Sequence, residues 1–144
     1  YNRIILLTKR IEKIIGKSLK NKNIIFLGVT FKPNTDDMRD STSLKMIPYV
    51  LKKGAKVQYY DPTGEKKEFK KYKNCKFNNS VKNICKNADL LILHTEWDEF
   101  KALDFKKLVK KKNFKLFDLR NLYNFNEMLN KKIKYYSIGR PAIK

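Results

Sequence analysis

The stretch from Ile24 to Val29 constrains the fold of this chain more than any other. It is a continuous apolar run, IIFLGV, rich in branched and aromatic side chains. Such a run predicts a strand buried on both faces, because a half-exposed strand alternates apolar and polar residues. The run ends abruptly in turn residues that include Lys32 and Pro33. A sheet covered by helices on both sides is therefore expected.

Similar apolar runs recur along the chain, and amphipathic helical stretches separate them. The predicted strands cover residues 24–29, 56–60, 75–77, 90–93, 114–117 and 134–138. The predicted helices cover residues 3–15, 41–53, 81–86 and 125–130, with a further helical region around 100–109. This alternation predicts a three-layer α/β/α, Rossmann-like domain with a mostly parallel sheet.

Residues 1–20 are predicted to be a connector helix, and residues 21–144 a single domain, which is long enough to bury one core. The apolar face of the helix comprises Ile4, Leu7, Ile11 and Ile14. Gly16 is expected to end it. Because the first residue is Tyr1 rather than Met, we expect the helix to continue from an upstream part of a longer protein.

The charge of the chain raises the possibility of a nucleic-acid partner. Lys and Arg number 34 against 14 Asp and Glu, a formal net charge of +20. A clustered basic face is the usual footprint of nucleic-acid binding. Here the lysines are spread along the whole sequence without a nucleic-acid motif, so we predict only nonspecific binding to polyanions. The sequence has neither an apolar run of membrane-spanning length nor a signal peptide, which favours a cytoplasmic protein without a membrane partner.

The residue types that usually carry catalysis are sparse. Cys75 and Cys85 lack metal-ligand spacing and are interpreted as ordinary reduced cysteines. His94 is the only histidine, and its place at a strand end favours a packing role over that of a general base. Together with the two cations that follow predicted strands, Lys32 and Arg120, these residues predict an anion-binding or nucleotide-binding domain with neither a catalytic centre of its own nor a metal site.

Two cations follow predicted strands, Lys32 after the first and Arg120 after the fifth. The carboxyl ends of parallel strands open on one edge of the sheet, so both side chains can converge on a single crevice. Two cations in a crevice suit a phosphate or pyrophosphate. The alternative is structural: Arg120 pairs with Asp118 or Asp36, and Lys32 is merely solvated.

Asp61 follows the second strand, where dinucleotide-binding domains place the carboxylate that holds a ribose. The first turn, however, contains only Gly28 and not G-x-G-x-x-G. The sequence leaves open whether Asp61 forms a turn or binds a ribose.

Five segments resemble one enzyme family in family order, and together they cover nearly the whole chain. They are GVTFKPNTDDMRDSTSLKMI, GAKVQYYDP, NADLLILHTEWDEF, KLFDLRNLY and YYSIGRP. This combination resembles the nucleotide-sugar 6-dehydrogenases. The resemblance implies a C-terminal UDP-sugar-binding domain that follows an NAD-binding Rossmann domain and a central helix in a homo-oligomeric enzyme.

The resemblance also implies a reaction and a set of roles. The family oxidises the C6 alcohol of the sugar to a carboxylate in two hydride transfers, using two NAD⁺. Phe31, Lys32 and Arg120 resemble its substrate contacts, and Arg39 resembles the residue that reaches NAD⁺ bound by the other domain. The cysteine motif of the family is absent, so this chain alone is expected to be inactive.

The resemblance further implies that the substrate is UDP-glucose. The alternatives are GDP-mannose or a UDP-N-acetylhexosamine as substrate, or a stand-alone nucleotide-binding regulatory module. Two positions depart from the family pattern: Leu119 stands where glycine is usual, and His94 where an apolar or small residue is commoner. We expect the bulk of Leu119 to shift the loop that carries Arg120.

Overall fold

The computed structural model describes residues 2–16 and 18–144. In chain order the elements are α1 (Asn2–Ile15), β1 (Asn23–Leu27), α2 (Ser43–Lys52), β2 (Lys56–Tyr60), β3 (Cys75–Phe77), α3 (Val81–Cys85), β4 (Leu90–Leu93), α4 (Phe105–Leu108), β5 (Lys115–Asp118), α5 (Phe125–Asn130) and β6 (Lys134–Ser137). Two short 3₁₀ segments, Lys67–Phe69 and Asp98–Phe100, precede β3 and α4.

The six strands form one parallel sheet in the order β3-β2-β1-β4-β5-β6. The predicted three-layer α/β fold with a parallel sheet is therefore confirmed. The strand order reverses between β1 and β4, and ligands of open α/β sheets bind outside the carboxyl ends of the strands at such a point.

Strand β1 lies at the centre of the sheet and is buried on both faces, as its apolar run predicts. Ile24 and Phe26 pack into the core on one face, while Ile25 and Leu27 pack into the core on the other. All four side chains are at most 1% exposed. Burying one such side chain stabilises a fold by roughly 1.5–3 kcal/mol, so this strand anchors both layers.

Helix α1 packs on the domain through its predicted apolar face. Leu7, Ile11 and Ile14 belong to the same core cluster as α2. The hydroxyl of Tyr49, on α2, donates a hydrogen bond to the carboxylate of Glu12, on α1. The helix is thus fastened by apolar burial and by a polar contact.

The helical region expected around residues 100–109 is interrupted. The 3₁₀ segment ends at Phe100, and α4 begins only at Phe105. Asp104 between them is extended, with φ −99° and ψ 90°. Both phenylalanines are at most 1% exposed, so two buried anchors on either side of an extended residue replace one continuous helix.

Candidate functional site

A cavity of about 140 Å³ lies at the carboxyl edge of the sheet. Residues from α1, from the loop after β1 and from the ends of β4, β5 and β6 line it. They are Arg3, Leu7, Phe31, Asp40, Thr42, His94, Leu119, Arg120 and Ile138. Two of the predicted site residues, Phe31 and Arg120, are therefore brought together. Arg3, Thr42 and Ile138 line the cavity without having been predicted.

The loop that carries Phe31 is held by neighbouring strand ends. The backbone N–H of Val29 donates to Asp61 Oδ2 over 2.9 Å, and Thr95 Oγ1 donates to the carbonyl of Thr30 over 2.8 Å. Both contacts are buried. Phe31 follows directly and leaves the core with 44% of its surface exposed. A rigid base thus presents an exposed aromatic ring at the cavity.

The hydroxyls at the start of α2, those of Ser41, Thr42 and Ser43, bind the loop after β1 and the end of β4 rather than cap the helix. Ser41 Oγ and Ser43 Oγ each donate to the carbonyl of Val29 over 2.6 Å. Thr42, at the N-cap position, makes no side-chain capping bond within the part of the chain that the structure describes. Its hydroxyl instead lies 2.8 Å from His94 Nε2. The helix predicted from residue 41 is present, and the hydroxyls of Ser41 and Ser43 tie its start to the carbonyl of Val29, two residues after β1.

Arg120 braces the cavity. Its Nε donates to the carbonyl of His94 over 2.9 Å, and its Nη2 donates to the carbonyl of Phe31 over 3.2 Å. Glu96 Oε1 is buried and lies 3.9 Å from Arg120 Nε. The guanidinium group therefore joins the ends of β1, β4 and β5.

The sequence left open that the Arg120 side chain pairs with Asp118 or Asp36. In the structure only the backbone of Arg120 binds Asp118. Asp118 Oδ1 accepts a hydrogen bond from the N–H of Arg120 over 3.1 Å, whereas the guanidinium group bonds to carbonyl oxygens. Leu119 lines the cavity, and its N–H continues the ladder to the carbonyl of Leu93 over 3.1 Å. The Leu119 side chain thus forms part of the cavity wall, while its backbone stays hydrogen-bonded to β4.

The ring of His94 is 1% exposed and uses both nitrogens. The proton of Thr95 Oγ1 goes to the carbonyl of Thr30, so Thr95 Oγ1 accepts from His94 Nδ1 over 2.9 Å. Nε2 then accepts from Thr42 Oγ1. Burial, with a smaller contribution from Arg120, lowers the pKa of His94 to about 3. The imidazole is a neutral hydrogen-bonding bridge.

Lys32 and Arg39 lie outside this cavity. Arg39 binds Asp37 in a bidentate pair, Nε to Oδ1 and Nη2 to Oδ2, both over 3.0 Å. Its side chain is 88% exposed, and its hydrogen bonds hold the pKa of Asp37 below the ordinary value. The sequence predicted that Lys32 and Arg120 converge on one crevice. In the structure Phe31 and Arg120 line the cavity, and Lys32 lies exposed on the loop that carries Phe31.

Asp61 is a turn residue. It is 1% exposed, and Oδ2 accepts from Val29 N while Oδ1 accepts from the N–H and hydroxyl of Thr63. Gly28, at φ +76°, is packed so closely that an added Cβ would lie 2.7 Å from Thr95 Cβ. Both residues are committed to contacts within the domain, and neither is arranged to hold a ribose or a phosphate.

Cys75 and Cys85 are buried, and burial raises the pKa of each thiol to about 12. A thiol with such a pKa forms almost no thiolate at neutral pH, and the thiolate is the nucleophile.

Among residues 2–16 and 18–144, the longest helices fall short of the length and apolarity needed to cross a membrane.

Comparison with known proteins decides the family. A model of the UDP-glucose/GDP-mannose dehydrogenase family, UDP binding domain, matches residues 25–125. The chain belongs to this family. The matched range of the UDP-binding domain contains the Phe31 loop and Arg120, and it excludes α1 and Ile138, which also line the cavity.

Relatives in the dehydrogenase family extend the match to both ends. UDP-glucose 6-dehydrogenase of Rhizobium meliloti (strain 1021) is 38% identical over 97% of this chain, and that of Rickettsia bellii (strain RML369-C) is 35% identical over 93%. The chain spans 32% of the length of each. The crystal structure of NDP-N-acetyl-D-galactosaminuronic acid dehydrogenase from Methanosarcina mazei Go1 matches with a TM-score of 0.78 and 25% identity, over 96% of this chain and 29% of that one.

Proposed function

We propose that this chain is the substrate-binding domain of an NAD-dependent UDP-glucose 6-dehydrogenase, which oxidises the C6 alcohol of UDP-glucose to the carboxylate of UDP-glucuronate. Two relatives that carry this enzyme name align over more than nine tenths of the chain. The observation that carries the proposal is the 3.2 Å hydrogen bond between Arg120 Nη2 and the carbonyl of Phe31. It joins two motif residues at one cavity.

The charge at the cavity suits a diphosphate. Arginine has five N–H donors, and Arg120 uses two of them for the carbonyls of Phe31 and His94. The remaining donors are available for a phosphate, which arginine binds in bidentate fashion. Arg3 lines the same cavity, as does the acidic Asp40, whereas Lys32 lies exposed outside it on the loop that carries Phe31. We assign the pyrophosphate of the substrate to Arg120 and Arg3, and we propose Lys32 as a further substrate contact from the loop.

The size of the cavity indicates a partial site. Its volume of about 140 Å³ is well below the roughly 300–1,000 Å³ of pockets that enclose a whole ligand. We therefore propose that a preceding domain supplies the rest of the site. In this proposal residues 1–20, which include α1, form the connector between the two domains. Arg3 and Leu7 of α1 contribute directly to the cavity wall. Residues 21–144 are the substrate domain.

NAD⁺ would be held mainly by the preceding domain. The turn after β1 does not fit a dinucleotide, because Gly28 is packed against Thr95 and both carboxylate oxygens of Asp61 are occupied. When bound, NAD⁺ accepts the hydride removed from C6. The exposed Arg39 is our proposed contact from this chain to NAD⁺, with Asp37 holding its guanidinium group in place.

Catalysis is not expected from this chain alone. Its two thiols are buried and protonated, so neither can act as the nucleophile. We expect no NADH from the chain mixed with UDP-glucose and NAD⁺, measured by absorbance against a boiled sample. Sustained NADH formation would contradict this part of the proposal.

The family resemblance also supports a cytoplasmic homo-oligomer for the longer enzyme.

Isothermal titration calorimetry tests the proposal. We expect the chain to bind UDP-glucose weakly, because contacts from the preceding domain are missing, and more tightly than GDP-mannose. Equal or reversed affinities would favour the alternative substrates, GDP-mannose or a UDP-N-acetylhexosamine. An absence of heat with every nucleotide sugar and with UDP would contradict the assignment of a substrate-binding domain.

A further inference from the structure

Arg140, near the C-terminus, is held against the loop that carries Arg120. Its Nη2 donates to Tyr135 Oη over 2.6 Å and to Asn121 Oδ1 over 3.2 Å, and its Nε donates to Ser137 Oγ over 3.1 Å. The guanidinium carbon lies 5.4 Å from the centroid of the Tyr135 ring. One side chain thus connects the end of β6 with the loop after β5.

A continuous chain of hydrogen bonds leads from Arg140 to the backbone of Arg120. The buried hydroxyl of Tyr135 accepts from Arg140 and donates to Asp118 Oδ2 over 2.7 Å. Asp118 is 0% exposed, and its Oδ1 accepts from the N–H of Arg120 over 3.1 Å. The other oxygen also accepts from the N–H of Tyr123 over 3.0 Å. Asp118 therefore fixes the loop at two backbone positions.

A second clamp joins the same loop to the C-terminal segment. Asn121 Nδ2 donates to the carbonyl of Ile138 over 3.0 Å, and the N–H of Ile138 donates to Asn121 Oδ1 over 3.1 Å. Ile138 lines the cavity. The segment 137–140 therefore shapes the cavity directly through Ile138 and indirectly through Arg140.

The electrostatics explain why the chain of contacts needs a cation at its far end. A buried carboxylate such as that of Asp118 is costly unless hydrogen bonds and an opposite charge compensate for the lost hydration. Tyr135 transmits the compensation, since its hydroxyl donates to Asp118 and accepts from Arg140. Loss of either link is expected to loosen the bond from Asp118 to the Arg120 backbone.

We propose that Asp118, Tyr135 and Arg140 are positioning residues that hold Arg120 in the geometry that binds a nucleoside diphosphate. The inference rests on the proposed function, because it takes Arg120 as the ligand-binding cation. It adds that Tyr135 and Arg140, which do not line the cavity themselves, set its affinity through Arg120.

Tyr135→Phe is the sharpest test, since it removes one hydroxyl and keeps the ring. UDP is the probe, and affinity is measured by calorimetry on the folded chain at a temperature well below its Tm. We expect the affinity for UDP to fall about 3- to 10-fold, as it would if the displaced Arg120 lost about one hydrogen bond to UDP. Hydrogen exchange at the Arg120 Nε–H, followed by NMR without ligand, should become faster because the guanidinium group is less firmly placed.

Tyr136→Phe is the matched control. Tyr136 is the next residue on β6, it is half-buried, and it borders a different surface hollow beside Arg10 and Ala142. Burial alone raises the pKa of its hydroxyl. We expect this variant to keep both the affinity for UDP and the exchange rate at Arg120 Nε.

Arg140→Gln and Arg140→Lys provide a second pair that does not alter the core. Gln should weaken UDP binding and speed exchange at Arg120, and Lys, which keeps the charge, should restore part of both. Unchanged affinity and exchange in Tyr135→Phe and Arg140→Gln would overturn the inference and leave the proposed function intact. If the wild-type chain fails to bind UDP, the proposed function is at fault, and the exchange rates alone then decide the positioning role.

Discussion

The guanidinium group of Arg120 donates a hydrogen bond to the carbonyl of Phe31 over 3.2 Å, although 89 residues separate the two in the chain. The same group reaches the carbonyl of His94 over 2.9 Å. A cation that binds the substrate in our proposal thus also ties together the strand ends that form its own site.

Arg120→Lys separates binding from bracing. Lysine keeps the charge, but its donors sit on a single nitrogen, which cannot reproduce the two positions from which Nε and Nη2 reach the carbonyls of His94 and Phe31. We expect the affinity for UDP to fall at least about fivefold, while the Tm falls by only about 4–8 °C, because the two lost hydrogen bonds contribute about 1 kcal/mol each. Calorimetry and thermal unfolding measure the two effects.

Lys115→Gln is the control for Arg120→Lys. Lys115 Nζ also donates to a backbone carbonyl on another element, that of Ile14 at the end of α1, over 2.6 Å, and it lies outside the cavity. We expect a similar change in Tm and an unchanged affinity for UDP. If Arg120→Lys lowers the Tm sharply and leaves the affinity intact, Arg120 is only a loop anchor.

The sheet was predictable because its strands are apolar runs bounded by turn residues. The predicted ranges 56–60, 75–77 and 90–93 agree with β2, β3 and β4. A segment with apolar side chains on both faces is fully buried only as a strand of a sheet that helices cover on both sides, so its structure follows from its composition. Boundaries that depend on cap geometry, such as the break at Asp104, were not visible in the pattern.

The site was predictable only in part. Phe31 and Arg120 carry motif signals at strand ends, and both line the cavity. Arg140 also lies in a motif, SIGRP, but its contact with Tyr135 depends on how β6 ends next to β5. Hydrogen bonds between distant elements have no local sequence pattern, so Thr42 and Arg140 emerged only from the structure.

Arg39→Ala tests the proposed contact with NAD⁺ in the longer enzyme. The side chain is 88% exposed, so its loss should leave the Tm almost unchanged. We expect the KM for NAD⁺ to rise roughly 10- to 150-fold, as for one lost charge-assisted hydrogen bond, with a much smaller change in the KM for UDP-glucose. The exposed Lys101, paired with Asp98, offers a control in Lys101→Ala. An unchanged KM for NAD⁺ would restrict Arg39 to its pairing with Asp37.

His94 should make the stability of the chain sensitive to acid. Its pKa is about 3 in the folded state and about 6.5 when unfolded, so between these values the unfolded chain binds the extra proton. Stability is therefore lost as the pH falls below about 6.5, by up to about 1.4 kcal/mol per pH unit. Urea unfolding of wild type and His94→Gln at about pH 7.5, 6 and 5 measures the difference. Parallel losses in the two proteins would show that His94 does not contribute.

Gly28 tests the close packing of the first turn. An added Cβ would lie 2.7 Å from Thr95 Cβ, and the φ of +76° is itself unfavourable for other residues. Gly64→Ala is the matched control, since Gly64 has φ +94° and open space around the added atom. We expect the control to cost about 1–2 kcal/mol, from backbone conformation alone. Gly28→Ala should cost distinctly more, and equal losses would contradict the packing argument.

The central claim is that UDP binds at the carboxyl edge of the sheet, and NMR mapping of the ¹⁵N-labelled chain tests it most directly. Titration with UDP should shift the amide signals of Phe31, His94, Arg120 and Ile138. The opposite edge carries a basic hollow lined by Lys22, Lys115 and Lys134, which provides an internal control for simple attraction of phosphate to lysine. Shifts confined to the cavity and saturating with UDP are the predicted result. Shifts centred on the lysine hollow, or spread evenly over the chain and matched by inorganic phosphate, would contradict the account.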